Sequence, residues 1–216
     1  MIEFLKQLDT SLFIFLNSLH NSLFDTIFLW ITKQYSWIFL YVIILALLVW
    51  RYMAVKIQKS PEGGLLNLNI NLNRNKWPWL LLSIFFIVFL LTLSDQASVH
   101  LFKNVFQRLR PSHEPALSDI IHIPGRRGAL YGFVSSHAAN SFAVAYFTSG
   151  IIGIRWYTWV IYTWAVIFTY SRIYLGVHYP GDCLFGALLG ISVGWILLRV
   201  WISAGKEWFP SLLPDS

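Results

Sequence analysis

Five apolar runs without a charged residue leave this chain few folds to choose from: roughly Gln34–Trp50, Trp77–Ser94, Ala138–Ile154, Trp156–Ser171 and Cys183–Leu198. In hydrocarbon every backbone N–H and C=O must be paired internally, so such runs cross as α-helices. Most fall slightly short of the ~20 residues that span a bilayer. Their ends are expected to continue as helix into the interface, and Asp95–Phe102, which holds no breaker, carries the second run to Lys103. Only 12% of the residues are charged, about half the share usual in soluble domains. The expected fold class is an all-α polytopic transmembrane helical bundle of five to six spans, forming one domain over residues 1–216.

Residues 1–33 read differently. Leu12, Phe13, Phe15, Leu16, Leu23, Phe24 and Phe28 are apolar, but Asp9, Asn17, His20, Asn21 and Asp25 interrupt them. This pattern fits a pair of amphipathic helices lying in the interface or a sixth, polar-tinged span. The interfacial reading is favoured for its first part, with the bundle proper at 34–204. The connector 51–76 carries Arg51, Lys56, Lys59, Arg74 and Lys76 against Glu62 alone, so it is expected on the cytoplasmic side. Counting spans forward from it places 103–137 and 172–182 together on the opposite face. The net charge of +6 does not point to nucleic acid, because the cations flank apolar runs or belong to the motifs below. Cys183 has no second cysteine to pair with and reads as a small packing residue. No cleavable signal is evident at Met-Ile-Glu. Gly186, Gly190 and Gly194 recur every four residues. They make a smooth stripe for close helix packing, either within the bundle or between two copies.

Three polar motifs sit where apolar runs end: Lys103 to Arg110-Pro111, Ser135-Ser136-His137, and Ser171-Arg172 to His178 and Asp182. Ionisable groups at membrane depth are costly, so they mark function by default. Lys103 and Arg110 are two helical turns apart and share a face if the helix persists, although Pro111 limits it. Such a lysine and a forked guanidinium grip several oxygens of one phosphate; the plainer reading is charges snorkelling at a helix end. Ser135 and Ser136 open an apolar helix, where a serine caps or donates to an anion. Gly176, Pro180 and Gly181 are expected to make the segment between Arg172 and Asp182 a tight turn and not a helix. A neighbouring aspartate fixes a histidine's tautomer and leaves its other nitrogen as nucleophile or base. A metal site is disfavoured by so many cations.

These residues resemble the type 2 phosphatidic acid phosphatase (PAP2) superfamily, whose signature runs Lys-x6-Arg-Pro, then Ser-x-His, then Ser-Arg-x5-His-x3-Asp. The signature covers Lys103 to Asp182. Its first and third parts are intact, whereas the usual Pro-Ser-Gly-His is Val134-Ser135-Ser136-His137 here. The resemblance implies that His178 attacks phosphorus, Asp182 orients it, and His137 protonates the leaving oxygen and then activates water. It further implies that Lys103, Arg110, Arg172 and Ser135 hold the phosphoryl oxygens, with the Ser136 N–H as a further donor. No metal or organic cofactor is implied.

The expected function is a membrane lipid phosphatase at the periplasmic face of a bacterial inner membrane. Undecaprenyl diphosphate, phosphatidylglycerophosphate, phosphatidic acid and lipid A phosphates all fit the class. Arg126 and Arg127 are candidates to contact a second phosphate, against the plainer reading of a solvated basic loop. A vanadate-dependent haloperoxidase and a non-enzymatic lipid transporter are the competing classes. The oligomeric state is left open.

Overall fold

The computed structural model describes residues 2–33, 36–53 and 76–208. The 54–75 part of the basic connector, and with it most of the cytoplasmic-loop expectation, lies outside the described residues. The elements are α1 (Ile2–Ser18), α2 (Ser22–Ile31), α3 (Ser36–Met53), α4 (Trp77–Ala97), a π-helical turn (Ser98–Lys103), α5 (Asn104–Phe106), α6 (Ser136–Ile152), α7 (Arg155–Tyr174) and α8 (Pro180–Trp208). Two 3-10 turns, Pro111–His113 and Pro115–Leu117, and an isolated bridge between Leu109 and Tyr131 shape the long connection before α6.

Helix α6 is the centre of the bundle, packed against α8, α7 and α4. Its sequence explains this position: Ala138, Ala139, Ala143 and Ala145 are buried and small enough to let neighbours come close. The Gly186, Gly190 and Gly194 stripe of α8 faces them. A methyl group on Gly186 would sit 2.5 Å from the Ser135 carbonyl oxygen, one on Gly194 3.0 Å from that of Ala143, and one on Gly190 would overlap Ala139. The stripe therefore serves packing inside the chain. We expect Gly190→Leu to destabilise the folded protein by about 1–3 kcal/mol or more through overpacking, read as a lower melting temperature in detergent. Away from the site, aromatic rings fill the core. Phe86 stacks on Phe147 at 6.1 Å and Trp79 meets Trp201 at 4.8 Å.

The outward faces are as apolar as the core. Phe39, Val42, Phe85, Val88, Trp159, Val166, Leu184 and Leu188 are exposed along α3, α4, α7 and α8. Apolar surface on this scale suits lipid and not water. Two helices among the described residues, Trp77–Phe106 and Pro180–Glu207, are long and apolar enough to cross a membrane. A third is added if α1 and α2, bent by 111° at their junction, count as one span. The expected five to six are thus not carried by length and composition alone. Helix α6 has 17 residues, and α7 dilutes its apolar residues with Tyr, Thr and Arg. The N-terminal region forms the expected pair of helices, with Asn21 capping α2 by accepting from the Phe24 N–H at 2.9 Å.

Candidate active site

The three motifs converge at the N-terminal end of α6. Ser135 is its N-cap, with its Oγ accepting from the Ala138 N–H at 3.4 Å, and its own N–H donates to the Asp182 carbonyl at 2.9 Å. The second and third motifs are thereby joined through backbone. Lys103 reaches the same place from the end of the π-helical turn, where its Nζ donates to Ser136 Oγ at 2.6 Å. Ser136 Oγ is also hydrogen-bonded to Ser98 Oγ. Ser136 thus ties α6 to the π-helical turn through its side chain, in addition to the backbone role expected of it.

Lys103 and Arg110 do not share a helical face. The helix stops at Gln107, whose φ of 47° is left-handed, and Arg110 follows in extended backbone. Arg110 still enters the site, buried, with its Nε donating to the Tyr131 carbonyl at 3.2 Å and its N–H to that of Leu130 at 3.1 Å. Gly128 and Gly132 make room for it. A methyl group on Gly128, where φ is +75°, would come within 2.5 Å of Arg110 Nη1. One on Gly132 would fall 3.0 Å from both Arg110 Cγ and Asp182 Oδ2. Arg126 and Arg127 have exposed side chains; what reaches the site is the loop's backbone, with the Arg127 carbonyl accepting from Ser112 Oγ at 2.8 Å.

His178 lies in the short link between α7 and α8, fully buried, and its N–H donates to the Arg172 carbonyl at 3.2 Å. Asp182 is in the first turn of α8, because Pro180 starts the helix, where the glycine–proline pattern led us to expect a turn. The two are four residues apart, across the start of α8. Asp182 Oδ2 accepts from the Tyr179 N–H at 3.1 Å and stands 3.4 Å from His178 Nδ1. That separation is at the long end for a hydrogen bond. Burial, followed by the charges of Arg110, Arg172 and Lys103, pushes the His178 imidazole well below the ordinary histidine value, and the backbone of Gly132 only partly opposes them. A depressed value means that falling pH protonates this ring late, so it stays neutral. In histidine-labelled protein, NMR should show the His178 signals, assigned by their loss in His178→Ala, still in the neutral tautomer as pH drops below 6.5. Protonation at or above that value would contradict the account.

His137, on the first turn of α6, stacks against the Phe168 ring at 5.7 Å and is in electrostatic contact with Arg172, His178, Arg110 and Lys103. With Ser136 and Asn140 it borders a cavity of about 630 Å³ that runs to Trp37, Tyr41 and Asp95. The structure therefore brings all eight expected residues into one region, with one histidine sealed inside and the other at an opening. Among the described residues, Arg172 Nε and His178 Nε2 are buried without a hydrogen-bond partner. No group of three or more His, Cys, Asp or Glu among them is arranged to hold a metal ion.

A profile of the PAP2 superfamily matches residues 77–205, which contain every one of these side chains. The chain belongs to the PAP2 superfamily. This PAP2 chain is also 31% identical over 214 residues to a lipid A 4'-phosphatase of Porphyromonas gingivalis, covering 99% of this chain and 81% of that one. It is 34% identical over 198 residues to a lipid A 4'-phosphatase of Bacteroides thetaiotaomicron, covering 91% and 78%. The crystal structure of Aquifex aeolicus LpxE has the same fold, with a TM-score of 0.59 at 21% identity over 89% of this chain and 95% of that one. The enzyme class anticipated from three short motifs, a PAP2-type phosphatase, is thus met over most of the chain.

Two side chains missed by the motif reading also enter the site. Arg108, between Lys103 and Arg110, places Nη1 3.0 Å from Asp182 Oδ1 and 2.8 Å from Asp9 Oδ2. Asp9 comes from α1. An acid in an apolar N-terminal stretch was the available signal, but nothing in the sequence named its partner.

Proposed function

We propose that this PAP2 membrane enzyme removes a phosphate from lipid A through a phosphohistidine at His178. The observation that carries the chemistry is the sealed cationic cradle. Lys103, Arg110 and Arg172 surround a neutral buried histidine, and Arg172 Nε and His178 Nε2 lack protein partners. A buried polar group left unpaired costs about 1–3 kcal/mol; a phosphoryl oxygen accepts from Arg172 Nε, while the unprotonated His178 Nε2 faces phosphorus with its lone pair. In the first step His178 Nε2 attacks phosphorus, the P–O bond to the lipid breaks, and His137 gives its proton to the departing oxygen. In the second, His137 takes a proton from water, whose oxygen attacks phosphorus and releases inorganic phosphate and neutral His178. Splitting one displacement into two lowers each barrier, while the preset cations stabilise the charge that develops. Ser135 and the Ser136 N–H complete the donor set at the α6 N-terminus.

Similarity to two lipid A 4'-phosphatases, at 31% and 34% identity over more than nine-tenths of the chain, supports lipid A as substrate. The opening beside His137, lined by Trp37, Tyr41 and Leu91, supports entry of a headgroup between α3 and α4. In this reading α3, α6 and α7 also cross, giving five spans, and the site faces the side opposite the 51–76 connector, the periplasm of a bacterial inner membrane. The test is phosphate release in detergent from purified lipid A, phosphatidic acid, phosphatidylglycerophosphate and undecaprenyl diphosphate. Fastest turnover of lipid A, with loss of one HPO3 unit by mass spectrometry, is expected. Preference for another lipid would overturn the substrate and leave the chemistry standing.

A further inference from the structure

Asp182 is gripped on both oxygens. Oδ2 is fixed by the Tyr179 N–H and faces His178, while Oδ1 receives Arg108 Nη1 at 3.0 Å. The same Nη1 reaches Asp9 Oδ2 at 2.8 Å, so one nitrogen with two hydrogens bridges two carboxylates. Asp9's other oxygen, Oδ1, accepts from the Gly181 N–H at 2.7 Å, one of the unpaired donors at the start of α8. A methyl group on Gly181 would lie 2.8 Å from Asp9 Oδ2, so the contact requires glycine there. The Arg108 guanidinium also lies 3.9 Å from the centre of the Tyr179 ring, the residue between His178 and Pro180. The bridge is not a surface ion pair: the Arg108, Asp9 and Asp182 side chains are 28%, 16% and 0% exposed.

We propose that Asp9 and Arg108 are positioning residues for the His178–Asp182 pair, through a carboxylate–guanidinium–carboxylate bridge that α1 completes. Helix α1 lies outside the 77–205 segment that defines the superfamily match, yet it holds both the first turn of α8 and the cation that orients Asp182. Neither residue touches the reacting phosphorus; both act by fixing the carboxylate that fixes the nucleophile. Outer-shell partners of this kind are worth about 10- to 100-fold in activity.

This inference rests on the phosphatase reading, and the test separates the two. Wild type, Arg108→Gln, Asp9→Asn, their double variant and Arg108→Lys are assayed for phosphate release, with kcat expressed per folded molecule and His178→Ala as the blank. Arg108→Gln should lower kcat by about 10- to 100-fold and Asp9→Asn by about 10-fold, with KM within about threefold in each. The double variant should be no slower than Arg108→Gln alone, because both act through one bridge. Arg108→Lys, which keeps a charge on Asp182 without the fork, should recover part of the loss. If Arg108→Gln does not fold, Asp9→Asn and Arg108→Lys carry the comparison. Variants with wild-type kcat per folded molecule, or with losses confined to KM, would overturn the inference alone. A wild type with no turnover on any lipid phosphate would remove the phosphatase reading and this inference with it.

Discussion

Replacing His178 with alanine will lower phosphate release by about 10⁴-fold or more, with the protein still folded. Removal of a covalent nucleophile is among the largest losses a hydrolase shows, and nothing else in the cradle replaces it. Arg172 and Arg110 present only guanidinium donors, Lys103 is held by Ser136 Oγ, and the Cys183 thiol is buried. The variant loses a fully buried, neutral ring, which costs about 3–5 kcal/mol at most by the cavity it leaves, while the chemistry loses its nucleophile outright. Phosphate release in detergent measures the first effect and thermal unfolding the second. Retained activity in His178→Ala would favour a different chemistry, and retained cellular function without turnover would favour a transporter.

His137→Ala will produce the second large effect, and its size will depend on the leaving group. With a lipid substrate, whose departing oxygen is a poor leaving group and needs a proton, the loss should be about 10²- to 10⁴-fold. With p-nitrophenyl phosphate the first step needs no acid, so phosphoryl transfer to His178 persists while hydrolysis of the intermediate stalls. The expected trace is a burst of about one equivalent of nitrophenolate followed by a slow phase. The placement of the two rings motivates this division: His178 is sealed while His137 stands at the opening with Ser136 and Asn140. Equal losses on both substrates without a burst would show that His137 does not serve as acid and base in turn.

Much of this site was legible before any coordinates, for a physical reason. Lys103, Arg110, Arg172, His178 and Asp182 stand at the ends of apolar runs, where a charge is too costly to be incidental. Span counting put them on one face. The geometry between them was less legible. The left-handed Gln107 ends the helix that would have aligned Lys103 with Arg110, ahead of the Pro111 that was expected to limit it, and no glycine stands there to announce it. The turn expected between Arg172 and Asp182 is present around Gly176, but it ends early: Pro180 opens α8, a first-turn position that its missing N–H suits, and takes Asp182 into the helix. Asp9 and Arg108 are 99 positions apart (108 − 9) and meet only through packing of α1 against the α8 end. The span count was the weakest expectation, since α6 spends its surface on alanines for close approach and α7 on aromatic and hydroxyl side chains.

The central claim is that phosphorus becomes bonded to His178 during turnover. The direct measurement is alkaline quenching of His137→Ala during the p-nitrophenyl phosphate burst, proteolysis, and peptide mass spectrometry. The account predicts one alkali-stable, acid-labile phosphoryl group on His178 and none when His178 is also replaced. A phosphoryl group on any other residue, or a burst with no labelled peptide, would contradict it.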